Sequence, residues 1–312
     1  MSFARLAGFA AAVLAVLLLG ASPAAAGNSP GEHARLCNQI AQRQQTARQP
    51  LDQREINFFL FDAAERGCDA LIRSFLDAGA SVAARDRSGN TVLSIAARMG
   101  QTATVELLVA AGADMNHQNL VGASPLLRAV TDRRRRTARA LLALGADPNL
   151  GDTKGVTPLI AAAFNGERRM LEMLLGAGSD LSATDASGKG PLVYAAGRGY
   201  TRMVQRLLDA GIDPARVYGN NLTGLMWAAG HSNDVPEAEG LATVEVLLAA
   251  GAATRPADNR GRTALMIAAG RGHAAIAARL IAAGSDPDAR DNEGKTAADL
   301  AASDEVRAVL AK

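Results

Sequence analysis

The chain has 312 residues, of which 48% are hydrophobic, 21% charged and only 4% aromatic. Its 33 Lys and Arg against 31 Asp and Glu leave a formal net charge of +2, too near zero for bulk attraction to nucleic acid or to a membrane surface. With so few rings the core must be alanine and leucine, which suits helices that approach closely, and one elongated repeat array fits better than two ordinary domains.

Residues 1–26 differ in composition from everything after them. Arg5 is the only charge there, Leu6–Gly20 is apolar, and Ala24-Ala25-Ala26 supplies small residues before a cleavage point. This is the layout of a secretory signal peptide. A retained anchor is the alternative, but a bilayer span needs roughly 20 apolar residues. No Arg-Arg pair is present, and no cysteine follows the apolar run to accept lipid. The mature chain is expected to start at Gly27 and to be periplasmic or secreted, with no membrane insertion after cleavage.

Residues 27–52 are expected to form an N-terminal capping segment, with a helix from about Gly31 to Gln45 that places Leu36, Cys37 and Ile40 on one face. The chain's other cysteine, Cys68, follows the first helix of the next unit. In an oxidising compartment an isolated pair is expected to form a disulfide, while two unrelated buried thiols are the alternative. The ring from Cys37 to Cys68 would be about 30 residues, worth on the order of 3–4 kcal/mol in the chain-entropy model. Unit 53–85 carries Phe58, Phe59 and Phe61, which are expected to pack beneath the capping segment rather than bind a ligand.

From there a pattern repeats. In Asp152–Asp185, Thr157 caps a short helix that begins with Pro158 and runs from Leu159 to about Phe164. A second helix shows Leu171, Leu174 and Leu175 on one face and ends at Gly178. Neither helix is long enough to be stable alone, so the unit needs neighbours. The capping position recurs every 33 residues as Thr91, Ser124, Thr157, Gly190 and Thr223, then as Thr263 and Thr296. The units are 53–85, 86–118, 119–151, 152–184, 185–217, 218–257, 258–290 and 291–312. Gly190 is expected to loosen its turn slightly. Arg133 stands where an inter-helix glycine belongs and opens the run Arg133–Arg136, read as a solvated turn and helix start, with an anionic partner site as the alternative. Seven inserted residues fall in His231–Gly240, between two helices, and Trp227 beside Ala228-Ala229 is expected in the core. The last unit, with Asp304 and Glu305 on its outer face, reads as a C-terminal cap.

This period, helix–turn–helix with a β-turn in each unit, resembles the ankyrin repeat over about Gln53–Lys312. The resemblance is carried by Thr157-Pro158-Leu159, by Ala96-Ala97 and Ala268-Ala269, and by Gly112-Ala113-Asp114. It implies an all-α solenoid of seven to eight helix–turn–helix units with β-turn fingers and atypical terminal caps. The histidine that such repeats commonly carry after Thr-Pro-Leu is replaced by Ser94, Leu127, Ile160, Val193, Met226 and Met266, which bears on hydrogen bonding between units.

Catalytic chemistry has no foothold in this pattern. His33, His117, His231 and His273 lie in different units without paired spacing, and no phosphate loop, H-E-x-x-H or G-x-S-x-G is present. No catalytic, cofactor or metal residues are assigned, and an enzyme is not expected. Asp114, Asp147, Asp180, Asp213 and Asp286 recur as turn braces. The resemblance implies partner binding on a concave face, through the finger tips and the exposed side of the first helices. Carried over, those positions are Arg87, Arg98, Lys154, Lys189, Arg198, Arg260, Arg262, Arg271 and Lys295, with Met99, Leu120, Val121, Phe164 and Leu222 as apolar members. Only Asp132, Glu293 and Asp304 oppose the positive charge. The expectation is a monomeric, non-catalytic scaffold for a protein with an acidic surface. An inhibitor or immunity-type blocker of one enzyme, or a structural protein held at an anionic envelope polymer, is the alternative.

Overall fold

The structure, a computed structural model, describes residues 30–47, 50–232 and 234–311. The expected signal peptide, residues 1–26, lies outside the described residues. The chain divides into two compact units, 1–52 and 53–312.

In the first unit, α1 (Pro30–Thr46) has Glu32 in its first turn and Arg43 in its last, matching the helix dipole at both ends. Ile40 is buried on it, Leu36 and Cys37 are half-buried, and Cys37 Sγ lies 3.7 Å from His33 Nε2. Neither Cys37 nor Cys68 is a free thiol.

The second unit is a series of helix pairs. The first helix of each pair is α2 (Gln53–Arg66), α4 (Val92–Met99), α6 (Pro125–Thr131), α8 (Pro158–Phe164), α10 (Pro191–Gly197), α12 (Gly224–Ala229), α14 (Ala264–Arg271) or α16 (Ala297–Leu300). The second is α3 (Asp69–Asp77), α5 (Thr102–Ala110), α7 (Arg135–Ala143), α9 (Arg168–Gly176), α11 (Thr201–Asp209), α13 (Glu237–Ala249), α15 (Ala274–Ala282) or α17 (Asp304–Leu310). Each first helix packs on its own partner and on the next first helix, so two layers run side by side. Leu93, Leu126, Leu159, Leu192, Leu225 and Leu265 fill the first layer, all buried. Pairs such as Ala96-Ala97, Ala195-Ala196 and Ala268-Ala269 are fully buried, and their small size lets successive backbones approach. The second layer buries Leu108, Leu141, Leu174, Leu207, Leu247 and Leu280.

The caps follow the sequence. Hydroxyls of Thr91, Ser124, Thr157, Thr223, Thr263 and Thr296 accept the backbone N–H three residues on, each satisfying an otherwise orphaned donor. Gly190 makes no side-chain cap. Before each cap a finger turns on a carboxylate. Asp152 Oδ1 accepts from the N–H groups of Lys154 and Val156 at 2.9 Å, and Asp86, Asp185, Asp258 and Asp291 do the same in their fingers. Asp114, Asp147, Asp180, Asp213 and Asp286 brace the preceding turns through an N–H two residues on.

Neighbouring fingers are bonded backbone to backbone. Leu120 N–H donates to Ser88 O, Thr153 to Val121, Ala186 to Lys154, Gly219 to Gly188, Asn259 to Asn220 and Asn292 to Arg260, all within 2.7–3.0 Å. His117 Nε2 to Gly89 O at 2.8 Å and the Thr102–Thr137 and Thr201–Thr243 hydroxyl pairs add to this. Bonding between units thus does not depend on the histidine the repeats lack.

Three departures from the expected regularity have local causes. Arg133 takes the left-handed turn, φ 58°, that Gly100 takes at φ 83°. Its run is not simply solvated: Arg134 Nε donates to Arg98 O at 2.9 Å, and Arg135 pairs with Glu167 at 3.2 Å. Tyr218 replaces the finger aspartate of its unit, and the finger is held instead by β1 (Val217–Tyr218) antiparallel to β2 (Leu222–Thr223), with Asn220 and Asn221 left-handed at the tip. The insertion adds helix as well as loop, since α13 has 13 residues where α11 and α15 have 9. In the first helix pair, Phe59 is buried and stacked on Phe75, and Phe58, 56% exposed, meets the Phe59 ring edge to face at 5.6 Å.

Candidate functional site

The first helices pack with one flank and leave the other to solvent. On that free flank the structure brings together three residues singled out in the sequence, Phe164, Lys189 and Arg198, with two that were not. Phe164 closes α8 and meets Tyr194 of α10 edge to face at 5.5 Å. The Arg198 guanidinium, just past α10, lies 4.8 Å from the Phe164 ring centre. Lys189 Nζ lies 5.7 Å from the Tyr194 ring and 5.0 Å from that of Trp227 on α12. The result is one unbroken row across three repeats: Arg198, Phe164, Tyr194, Lys189, Trp227.

Trp227 is therefore not a core residue as expected. It is half-buried on the free flank, and its indole N–H is enclosed without an acceptor. The usable signal was that Tyr194 and Trp227 occupy equivalent positions one repeat apart, where α4 has Ile95 and α6 has Arg128.

Asp185 fixes the row. It is buried, and its carboxylate accepts from Ser187 N–H, Ser187 Oγ, Lys189 N–H and the Tyr194 hydroxyl. Burial alone would raise its pKa, but these hydrogen bonds outweigh burial and hold the carboxyl below its ordinary value. Burial, then the hydrogen bond to Asp185 and the charge of that carboxylate, push the Tyr194 phenol up, so it stays a donor. Asp185 is ionised with its oxygens taken by these donors, and through the Tyr194 hydroxyl it orients that ring beneath Lys189.

The other expected contacts divide. Arg87, Lys154 and Arg260 are exposed at finger tips, where Leu120 and Val121 are 74% and 55% exposed. Leu222 is half-buried in β2, Arg98 and Met99 are half-buried at the end of α4, and Arg271 is exposed at the end of α14. Two cations are not available as expected. Arg262 grips the buried Asp258 carboxylate through Nε at 3.0 Å and Nη2 at 2.7 Å. Lys295 pairs with Glu293 at 2.8 Å. Near Arg98, burial raises the Asp132 carboxyl against the pull of Arg128, and burial with the Arg98 charge lowers Arg128. Among the described residues neither Lys189 nor Arg198 has an ion-pair partner.

Two histidines that looked unrelated in the sequence also meet. His231, in the insertion, stacks on His273 with ring centres 4.1 Å apart. Beside them an open cleft of about 460 Å³ lies between Asp234, Pro236 and Glu237 on one side and Arg271 on the other. Among the described residues no group of three or more His, Cys, Asp or Glu is placed to hold a metal ion, and no helix is long and apolar enough to cross a membrane.

Family models for ankyrin repeats match residues 31–119, 60–152, 109–185, 126–218 and 159–238, and again 247–301. The chain belongs to the ankyrin-repeat family. Its fold is similar to the ankyrin repeat domain of Bcl-3, described as a unique member of the IkappaB protein family. That similarity has 27% identity and a TM-score of 0.61 over 72% of this chain and 100% of that one. It is also similar to the human ASB11 ankyrin repeat domain, at 26% identity and a TM-score of 0.63 over 71% of this chain and 97% of that one. Comparison with curated protein sequences found no match. Ankyrin repeats are typically non-catalytic modules that bind other proteins, and no enzyme family matches this chain.

Proposed function

We propose that this protein is an exported, monomeric scaffold that holds another protein by an acidic surface, using the free flank of its first helices and the finger tips. One observation carries the reading. On a chain of net charge +2, Lys189 and Arg198 sit on aromatic rings with no carboxylate paired to them, while Arg87, Lys154, Arg260 and Arg271 are exposed on the same series of units. Unpaired cations ranged along one face favour encounter with an acidic partner and set its orientation. Export rests on the layout of residues 1–26, and an oxidising compartment would join Cys37 to Cys68.

The experiment is capture from a periplasmic extract by the mature chain, with charge reversals compared. Arg198→Glu and Arg260→Glu are expected to abolish recovery of one stoichiometric protein, whereas Arg169→Glu and Arg206→Glu, exposed on second helices, leave it intact. Equal loss from both sets, or retention by cell-wall material alone, overturns the reading. Intact mass of the same preparation checks the rest: a start at Gly27, with no thiol open to alkylation until reductant is added.

A further inference from the structure

We propose that the row Arg198, Phe164, Tyr194, Lys189, Trp227 is a docking strip for an extended acidic segment of a partner protein, one that alternates carboxylates with apolar side chains. This rests on the reading above and sharpens it from a face to five side chains and one chemistry.

The occupant follows from how each cation is held. A guanidinium lying on a ring has its face covered but keeps the N–H edges of its fork open, and those edges match the two oxygens of a carboxylate. Arg198 is in that position over Phe164. Lys189 lies near two rings, Tyr194 and Trp227, so its ammonium is pre-positioned with part of its water already displaced. Both cations are already held, so little side-chain entropy remains to be lost when an anion arrives. The only carboxylate built into the strip, Asp185, has its oxygens occupied by Ser187, Lys189 N–H and Tyr194, and does not compete.

Between the cations the surface is aromatic. A bare polyanion would leave those rings in water, with nothing apolar to cover them. A peptide chain supplies what a polyanion does not: apolar side chains for the rings. Charge complementarity with apolar spacers therefore points to a polypeptide.

Trp227 is the chain's single tryptophan, so its fluorescence reports on this strip and nowhere else. The test selects binders from a displayed library of random 12-residue peptides on the folded chain, then titrates the selected peptides while following tryptophan emission. Selected peptides are expected to combine Asp or Glu with aliphatic or aromatic residues and to change Trp227 emission at saturation. Arg198→Glu and Lys189→Glu should each weaken them by about tenfold or more. Lys189→Gln, which adds no repulsion, should weaken them less and serves if the Glu variant melts early. Tyr194→Phe keeps the ring but releases it from Asp185, and should cost affinity without changing which peptides bind. Peptides that bind without altering Trp227 emission, and that are lost with Arg98→Glu or Arg271→Glu instead, overturn the strip while sparing the wider basic face. Selected peptides without acidic residues overturn both. Heparin competing at the same site with equal charge-for-charge strength would show that a polyanion suffices, and would overturn the peptide assignment.

Discussion

His231 and His273 close the end of α12 together: each points Nδ1 at one of two consecutive carbonyls, Ala228 O at 3.2 Å and Ala229 O at 3.0 Å. A carbonyl can only accept, so both rings carry the proton on Nδ1. The seven-residue insertion is thus tied into the next repeat by a ring stack, and by Glu237, which accepts from Ala275 N–H at the start of α15 at 2.9 Å. In physical terms the insertion is a clasp between two units.

That clasp leaves no room at Gly240 of α13. A Cβ there would lie 2.3 Å from His231 Cε1. Glycine to alanine inside a helix ordinarily stabilises by about 1 kcal/mol, but forcing an atom into a packed site costs about 1–3 kcal/mol. The His231 ring is buried and stacked, so it cannot swing aside cheaply. Gly240→Ala should therefore destabilise, with its sign reversed in a His231→Ala background. Urea unfolding of the four-member cycle measures the coupling, and additive effects would refute the clasp.

The same pair should make this end of the solenoid sensitive to acid. Burial, and then the charge of His273, lowers the His231 pKa, while the carbonyls of Ala228 and Val235 and the Glu237 carboxylate act against that. Asp234 and Arg271 also line the adjoining cleft. A histidine whose folded pKa lies below its unfolded value of about 6.5 binds its proton more readily when unfolded. Its contribution is present in full above that unfolded value and is lost as pH falls below it. Hydrogen exchange between pH 8 and pH 5 should show α13 and α15 losing protection before α4–α7 do, because units of a solenoid open with their neighbours rather than all at once. In His231→Gln the difference between the two ends should shrink. Equal losses in both ends of the wild-type chain would count against it.

The repeat was legible because its determinants are local and recur. A hydroxyl before Pro-Leu can only cap, and a leucine every 33 residues can only face the next copy of itself. Asp114, Asp147, Asp180, Asp213 and Asp286 were visible as a recurrence even where their donors could not be assigned, but the aspartates that hold the fingers were not singled out. What the sequence hid is contact across units. Trp227 was read by its neighbours Ala228-Ala229, which are core, but it sits on the opposite side of the same helical turn. His231 and His273 share no register because the insertion falls between them, so only the folded chain joins them. Arg262 matched the exposed finger pattern, yet its finger aspartate, Asp258, claims it. Position in a repeat predicts where a side chain starts, not which neighbour it meets.

Arg133 offers a simpler test of backbone conformation. Its φ of 58° costs an L-residue about 1–2 kcal/mol that glycine does not pay. Against this, Arg133 gains an ion pair with Glu167 at 3.9 Å, with its own side chain 60% exposed. Exposed pairs of that kind contribute about 0–1 kcal/mol, and Glu167 keeps Arg135 at 3.2 Å. Backbone relief should win. Arg133→Gly is expected to stabilise by about 0.5–1 kcal/mol in chemical unfolding, as for other residues relieved of a left-handed conformation. Arg133→Ala, which loses the pair and keeps the strain, should not. If alanine proves as good as glycine, the ion pair and not the backbone governs this turn.

The unit from 185 to 217 presents the sharpest conflict between repeat pattern and context. Six of the seven capping positions carry Thr or Ser, and Gly190 breaks the series, so a consensus argument would install threonine there and expect about 1 kcal/mol from the restored cap. Its backbone, φ −97° and ψ 179°, would accept threonine without strain. The obstacle comes from the next unit. A Cβ at 190 would stand 2.9 Å from Tyr218 Cε1. Tyr218 is buried, it occupies the place of the finger aspartate, and Arg216 crosses its ring at 5.2 Å while bonding the carbonyls of Leu181 and Ser182. The ring is hemmed in, and overpacking of about 1–3 kcal/mol should exceed the gain from the cap. Gly190→Thr alone is therefore expected to destabilise. Tyr218→Asp would remove the ring and place a carboxylate where Asp152 and Asp185 hold their own fingers, facing the N–H groups of Asn220 and Leu222. In that background Gly190→Thr should stabilise, whatever Tyr218→Asp costs by itself. Chemical unfolding of the two single variants and the double variant gives the answer as a change of sign. Should threonine at 190 act the same way in both backgrounds, the glycine is not there to make room for Tyr218.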